Sequence, residues 1–307
     1  MKLLKYIFTL YIIASSSLIA QEQAVYLLDP KLNQFLNIRD FCMSENGQEA
    51  FFSIQSPDGK ISQIVSMIRE NDEWSAPELM FFCDEYSYLE PFLTYDGKRL
   101  FFVSDMPNSS SKEGKRNFDI WLIKRNAPGT PWSQPINVGS PVNSDLDEFY
   151  PTLSDNGNLY FTLDSPNGMG KDDIYVSVWN GKNYAVPTVL SEKINSEGFE
   201  FNAFVSKDER FLLYTKYNVE GDFGSGDLYI SRKDVHGKWQ KAVNLGNLIN
   251  TPSMEYCPFY HETTQTLYFT SRRNLLMPKK FSNIQEFQEF INSENGLSKI
   301  YKTHIKF

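Results

Sequence analysis

The chain has 307 residues, a formal net charge of −8, 41% hydrophobic residues and 15% aromatics. That apolar content supports a sizeable core and excludes a disordered chain. The acidic balance, with no basic stripe, excludes nucleic acid as a partner, because phosphate binding needs clustered Lys and Arg to displace counterions.

Residues 1–20, MKLLKYIFTLYIIASSSLIA, carry Lys2 and Lys5, then an apolar run, then small residues ending at Ala20. This pattern predicts a cleaved secretory signal peptide. The uncharged run from Tyr6 to Ala20 is shorter than the roughly 20 residues that span a bilayer. No cysteine stands near the junction, so a lipoprotein is not expected. Cleavage would leave residues 21–307 as one domain with a formal charge of −10 (−8 minus 2), exported to the periplasm or beyond, with no transmembrane segment. The three cysteines, Cys42, Cys83 and Cys257, are too few and odd in number for a disulfide framework and are expected to be buried, inert thiols, a Cys42–Cys257 bridge between neighbouring strands being the alternative.

Past residue 38 the chain repeats itself. Aligned on Pro151, the matching positions are Phe41, Pro91, Ala203 and Pro258, spaced by 50, 60, 52 and 55 residues by subtraction. A strand signal follows each anchor: AFFS at Ala50, LFFV at Leu100, LYFT at Leu159, LLYT at Leu212 and LYFT at Leu267. Between anchor and strand lie turn residues, SENG, YDGK, SDNG and SKDE, suited to tight hairpins. Third strands read QIVS at Gln63, DIWL at Asp119, DIYV at Asp173, DLYI at Asp227 and KIYK at Lys299. A fourth strand is marked by an aromatic with Pro or Ala three residues later: Trp74, Trp132, Tyr184 and Trp239.

The last unit lacks that fourth strand. AVYLLDPKLN, at Ala24 to Asn33, is similar to AVNLGNLIN, at Ala242 to Asn250, with one residue inserted. The N-terminus is therefore expected to complete the last blade and remove an open sheet edge. The fold class expected is all-β: a five-bladed β-propeller of four-stranded antiparallel blades, six blades being the alternative.

The segments LEPFLTYDGKRLFFVSD, DEFYPTLSDNGNLYFT, DDIYVS and NLGNLINT resemble the WD40-like PD40 (TolB-like) β-propeller repeats of bacterial envelope proteins. The resemblance covers most of the chain after residue 38 and is strongest from about Tyr88 to Arg273. It implies the propeller fold, but a fold of this kind hosts many activities.

Asn143, Asn195 and Asn250 each precede a glutamate by five residues: Glu148, Glu200 and Glu255. Asp40 and Glu90 lie two residues further along their own inner strands, so period two places them on the same strand face. Together they predict a partly acidic ring at one mouth of the channel. The alternative is structural: each Glu accepts backbone N–H groups or pairs with a neighbouring blade's Arg272 or Lys216. Asp119, Asp173 and Asp227 are expected to cap turns.

The connections between second and third strands are long and irregular, and in a propeller they emerge on the face that carries the Glu set. The last one contains a helical pattern. Ser282 and Gln285 fit a capping box, and Ile284, Phe287 and Ile291 recur at helical spacing, either covering blade five or forming a lid or docking helix. Arg272, Arg273, Lys279 and Lys280 make a basic spot on an acidic protein.

Three histidines, His236, His261 and His304, lack partners at metal-ligand spacing, and no contiguous calcium loop occurs, so no metal or cofactor is expected. Two readings follow. One is a monomeric, non-catalytic exported module whose loop-rich face binds an envelope protein, peptide or glycan through Glu148, Glu200, Glu255, Arg272 and Arg273. The other is a glycosidase-like enzyme drawing its carboxyl pair from Glu148, Glu200, Glu255, Asp40 and Glu90, which requires two such groups roughly 5–9.5 Å apart.

Overall fold

The structure is a computed structural model that describes residues 24–108 and 117–307. The expected signal peptide lies outside the described residues. The described chain forms five antiparallel blades closed into a ring. The inner strands are Asn37–Met43, Tyr88–Leu93, Glu148–Leu153, Phe199–Val205 and Glu255–His261. Each pairs with a second strand that starts after a tight turn, and each second strand pairs with a third. In blades one to four the turns form where the chain offers a Ser or Thr, an Asx two residues on, and a residue tolerant of positive φ. In blade two Thr94 Oγ1 donates to Asp96 Oδ1 (2.6 Å) and Gly97 has φ +65°.

The fourth strands are two residues long: Ile136–Asn137, Thr188–Val189 and Val243–Asn244. They follow directly on the Pro or Ala marked in the sequence, and the aromatic stands just before them. In blade one the long third strand Ser62–Glu70 carries two short pieces, Glu73–Trp74 and Glu78–Leu79. In blade five the fourth position is taken by Val25–Leu27, paired with Lys299–His304, and Leu28 N–H donates to Ile300 O (2.8 Å). The ring is thus closed by both ends of the described chain, as the repeat requires.

Adjacent blades pack through the aromatic second strands. Phe82 stacks on Phe102 at 4.6 Å and 9°, and Phe41 contacts Phe259 and Tyr268. The long connections meet the outer-to-inner connections of the next blade: Lys171 N–H donates to Gly198 O (2.9 Å) and Ser225 N–H to Ser253 O (3.1 Å). The approach is too close for a side chain. A Cβ on Gly224 would lie 1.9 Å from Ser253 O.

Cys42, Cys83 and Cys257 are all free thiols, as expected, and Cys257 donates a hydrogen bond to Asp40 Oδ1 (2.9 Å). One expectation about the last insertion is corrected. The helix in the last insertion spans Ile284–Ile291, but its cap is Asn283, one residue after Ser282, with Glu286 reaching back to Ser282 N–H (2.8 Å). Its apolar stripe does not cover blade five. Ile284, Phe287 and Ile291 are exposed, and Phe287 and Phe290 pack on Phe281 within the insertion.

Deleting residues 24–32 strips the partner from Lys299–His304 and uncovers a sheet edge. The expected loss is roughly 3 kcal/mol or more, from ladder hydrogen bonds and the burial of Leu28 and Leu32. Urea unfolding of the truncated protein measures it, and an unchanged midpoint would refute closure by the N-terminal strand.

Candidate functional site at the channel mouth

The residue before each anchor is Asp40, Glu90, Tyr150, Asn202 or Cys257, and all five have left-handed backbone angles, with φ between +50° and +63°. At the same place every inner strand slips register by one residue against its neighbour: between Arg39 and Cys42, Leu89 and Phe92, Phe149 and Thr152, Phe201 and Phe204, and Tyr256 and Phe259. This is a β-bulge repeated five times, which re-aims one side chain per blade. A non-glycine residue in this conformation costs about 1–3 kcal/mol unless its surroundings hold it.

They are held across blades. The bulge N–H of one blade is caught by a hydroxyl on the second strand of the preceding blade: Glu90 N–H by Ser53 (3.2 Å), Asn202 N–H by Thr162 (3.1 Å) and Asp40 N–H by Thr270 (3.3 Å). These hydroxyls are the last letters of the AFFS and LYFT signals. Blade two ends LFFV instead, and Val103 offers no acceptor. There Glu90 takes over, with its Oε2 accepting Tyr150 N–H at 2.6 Å.

The bulge side chains converge on one arginine. Arg39 Nε donates to Asp40 Oδ1 (2.6 Å) and its Nη2 to Glu90 Oε1 (2.7 Å), with Cys257 Sγ 3.4 Å away. Tyr150 reaches across the channel to Pro258 O (3.0 Å). Burial pushes the Glu90 carboxyl above the usual range; the Arg39 charge opposes this and Asp40 adds to it. Burial likewise raises the Cys257 thiol. The cavity between Glu90, Tyr150 and the prolines 91, 151 and 258 is about 10 Å³, room for about one water.

The glutamates at 148, 200 and 255 form a separate set. Period two fails between them and the bulge residues because the bulge inserts a residue, so Asp40 and Glu90 do not complete their ring. Each Glu closes its own entry loop. Glu148 accepts Ser144 N–H (3.1 Å), Glu200 accepts Ser196 N–H (2.8 Å) and Glu255 accepts Thr251 N–H (2.7 Å), each joined by the hydroxyl of the same residue. The Asn five residues earlier bonds both backbone groups of the third strand: Asn250 accepts from Leu228 N–H (2.8 Å) and donates to Leu228 O (3.0 Å). Asp173 and Asp227 accept loop N–H groups, as expected of turn caps.

The cations also lie differently from expectation. Lys216 pairs with Glu200 (3.1 Å) and Arg273 with Glu255 (3.4 Å), each within its own blade. Buried Arg273 also donates to Ser271 and Ile249, whereas exposed Arg272 lies 5.5 Å over the Tyr256 ring. Glu148 faces Leu163 where Glu200 faces Lys216. Its Oε2 is buried without a partner among the described residues, and burial pushes its carboxyl up to about 8.

Aromatic side chains stand beside the bulge layer. Arg39 lies 5.1 Å over Tyr256; Phe118 packs on Phe149 at 5.2 Å and Phe199 on Tyr217 at 5.7 Å. Sequence reasoning missed Arg39, Tyr150, Asn202 and Cys257. Their signal was position, one residue before the anchor or two for Arg39, rather than residue type.

The chain matches no family model and no curated protein. Solved structures do match. The GH43 endo-arabinanase from Bacillus licheniformis is 12% identical, with TM-score 0.51, over 89% of this chain and 95% of that one. An alpha-L-arabinofuranosidase from Podospora anserina, solved in complex with cellotriose, is 13% identical, with TM-score 0.51, over 89% and 92%. The putative TolB from Agrobacterium tumefaciens is 14% identical, with TM-score 0.47, over 88% and 91%. At such identities the likeness shows the β-propeller fold alone.

Two predictions follow from this geometry. Glu90→Ala strands Tyr150 N–H and should cost about 1–3 kcal/mol, of which Val103→Thr should restore part by returning the missing hydroxyl; a double-mutant denaturation cycle reads the coupling, and strict additivity would rule it out. Glu148 holds a proton in the folded state up to about pH 8 but loses it near its ordinary 4.5 when unfolded. Its contribution to stability therefore declines as pH rises between those values. Glu148→Gln should raise the melting temperature at pH 8 and change it little at pH 4; a lower melting temperature at pH 8 would refute the assignment.

Proposed function

We propose that residues 21–307 form an exported, non-catalytic propeller of the WD40-like PD40 (TolB-like) kind. In this reading the chain acts in the periplasm or outside the cell, after loss of residues 1–20, and binds a protein, peptide or glycan at the mouth on its loop-rich face. The observation that carries the reading is the closed channel. The bulge side chains and Arg39 satisfy one another across the axis and leave space for about one water, which suits a surface that docks a ligand better than a pocket that encloses one. The aromatic side chains and the exposed Arg272 at the mouth are of the types enriched in binding surfaces. No helix among the described residues is long and apolar enough to cross a membrane.

The glycosidase reading has one observation in its favour: the raised Glu90 carboxyl lies in one network with Asp40. A panel of bacterial and algal glycans separates the two. Under the binding reading the protein releases no reducing ends, and Arg272→Ala with Phe199→Ala weakens whatever ligand it retains by about tenfold or more. Turnover abolished by Glu90→Gln, Glu148→Gln or Glu255→Gln, with the fold intact by circular dichroism, would replace the binding module by an enzyme.

A further inference from the structure

A cleft of about 510 Å³ opens on the flank between blades two and three, away from the loop-rich mouth. Among its lining residues are Arg99, Phe101, Trp179, Lys182, Asn183 and Tyr184, and no Asp or Glu lines it. Its position in the repeat explains its character. Six residues after the start of each third-strand signal the first, second and fourth units place a cation on the fourth-strand aromatic: Arg69 on Trp74 (5.6 Å), Arg125 on Trp132 (4.1 Å) and Lys233 on Trp239 (4.8 Å). Two of these cations are also neutralised, Arg125 by Glu49 of the preceding blade and Lys233 by Glu209 (2.6 Å).

Blade three breaks this pattern on both sides. Trp179 stands where Arg125 and Lys233 stand, and Arg99 of blade two stands where Glu49 does in blade one. The result is a Trp179–Tyr184 pair with ring centroids 4.8 Å apart, facing an arginine that makes no ion pair among the described residues. Trp179 is fixed in place. A Cβ on Gly157 would lie 2.9 Å from its ring, and its backbone N–H donates to Asn158 Oδ1 (3.0 Å). Burial pushes the Tyr184 phenol up to about 12, with the Arg99 charge pulling against it, so the guanidinium and the ring share one environment. A structural cation–π pair has thus become a half-buried aromatic wall beside an arginine that lies over Phe101 (5.9 Å) and feels Asp96 only at longer range, on a protein whose overall charge is −8.

We propose that this cleft binds an acidic carbohydrate, with a uronic-acid ring lying on Trp179 and Tyr184 and its carboxylate taken by Arg99 and Lys182. The volume suits one or two sugar rings, since ligand pockets run from about 300 to 1,000 Å³. Arg presents a planar fork that matches a carboxylate, and Asn183 adds an exposed amide for hydroxyl groups. The site is separate from the mouth and does not depend on the reading given for it.

Titration calorimetry and tryptophan fluorescence test it with short oligomers of galacturonate, mannuronate and guluronate, each beside its methyl ester. Saturable binding to at least one acid is expected, at least tenfold weaker for its ester. The double variant Arg99→Glu with Trp179→Arg rebuilds the pairing found between blades one and two, so it should fold and lose the binding. Lys182→Gln, a fully surface change, should weaken it several-fold, and decides the matter should the double variant misfold. Arg272→Ala should leave it unchanged. No saturable binding to any of the three acids, equal binding of acid and ester, stronger binding of glucose 6-phosphate, or undiminished binding in the variants would each overturn the proposal.

Discussion

Five residues held in a conformation that L side chains disfavour organise the centre of this propeller. Each bulge turns one side chain toward the axis, and each needs something to hold it there. A hydroxyl from the preceding blade catches the strained N–H in three places, and a carboxylate does so in a fourth. The blades are therefore joined around the axis by polar contacts as well as by the aromatic packing between their second strands. Within the inner layer Arg39 meets two carboxylates at once, which offsets charges that none of them could carry alone with so little room for water.

Function in such an architecture is most visible where the repeat departs from itself. The Asn and the following Glu recur because they close the same loop in the same way, and their recurrence marks them as parts of the scaffold. Glu148 shows what burial does when no cation opposes it: with Leu163 across from it, the buried carboxyl keeps its proton to a higher pH. The flank between blades two and three departs in two positions together. Losing both the acid and the base of a structural pair leaves aromatic surface and charge that packing does not use.

The last insertion is the other departure. Its helix has the expected amphipathic spacing, yet the apolar stripe is turned away from blade five and its aromatics pack on one another. A stripe at helical period states which side chains share a face. It does not state what that face meets, because the insertion rises on a base formed by backbone bonds such as Leu275 N–H to Glu294 O (2.9 Å).

Blade number, strand order, the completing N-terminal strand and the turn chemistry were legible in the sequence because each rests on local rules: alternation, β-propensity and turn residues at fixed offsets. The grouping of the acids was not. Period two holds only along an unbroken strand, and a left-handed residue between Glu148 and Pro151 leaves no compositional mark when Asp, Glu, Tyr, Asn and Cys all occupy it. The pairing of Arg39 with Glu90, of Cys257 with Asp40 and of Arg99 with blade three joins residues far apart in the chain. Only the closed ring brings them together, because the distance across a channel depends on all five blades at once.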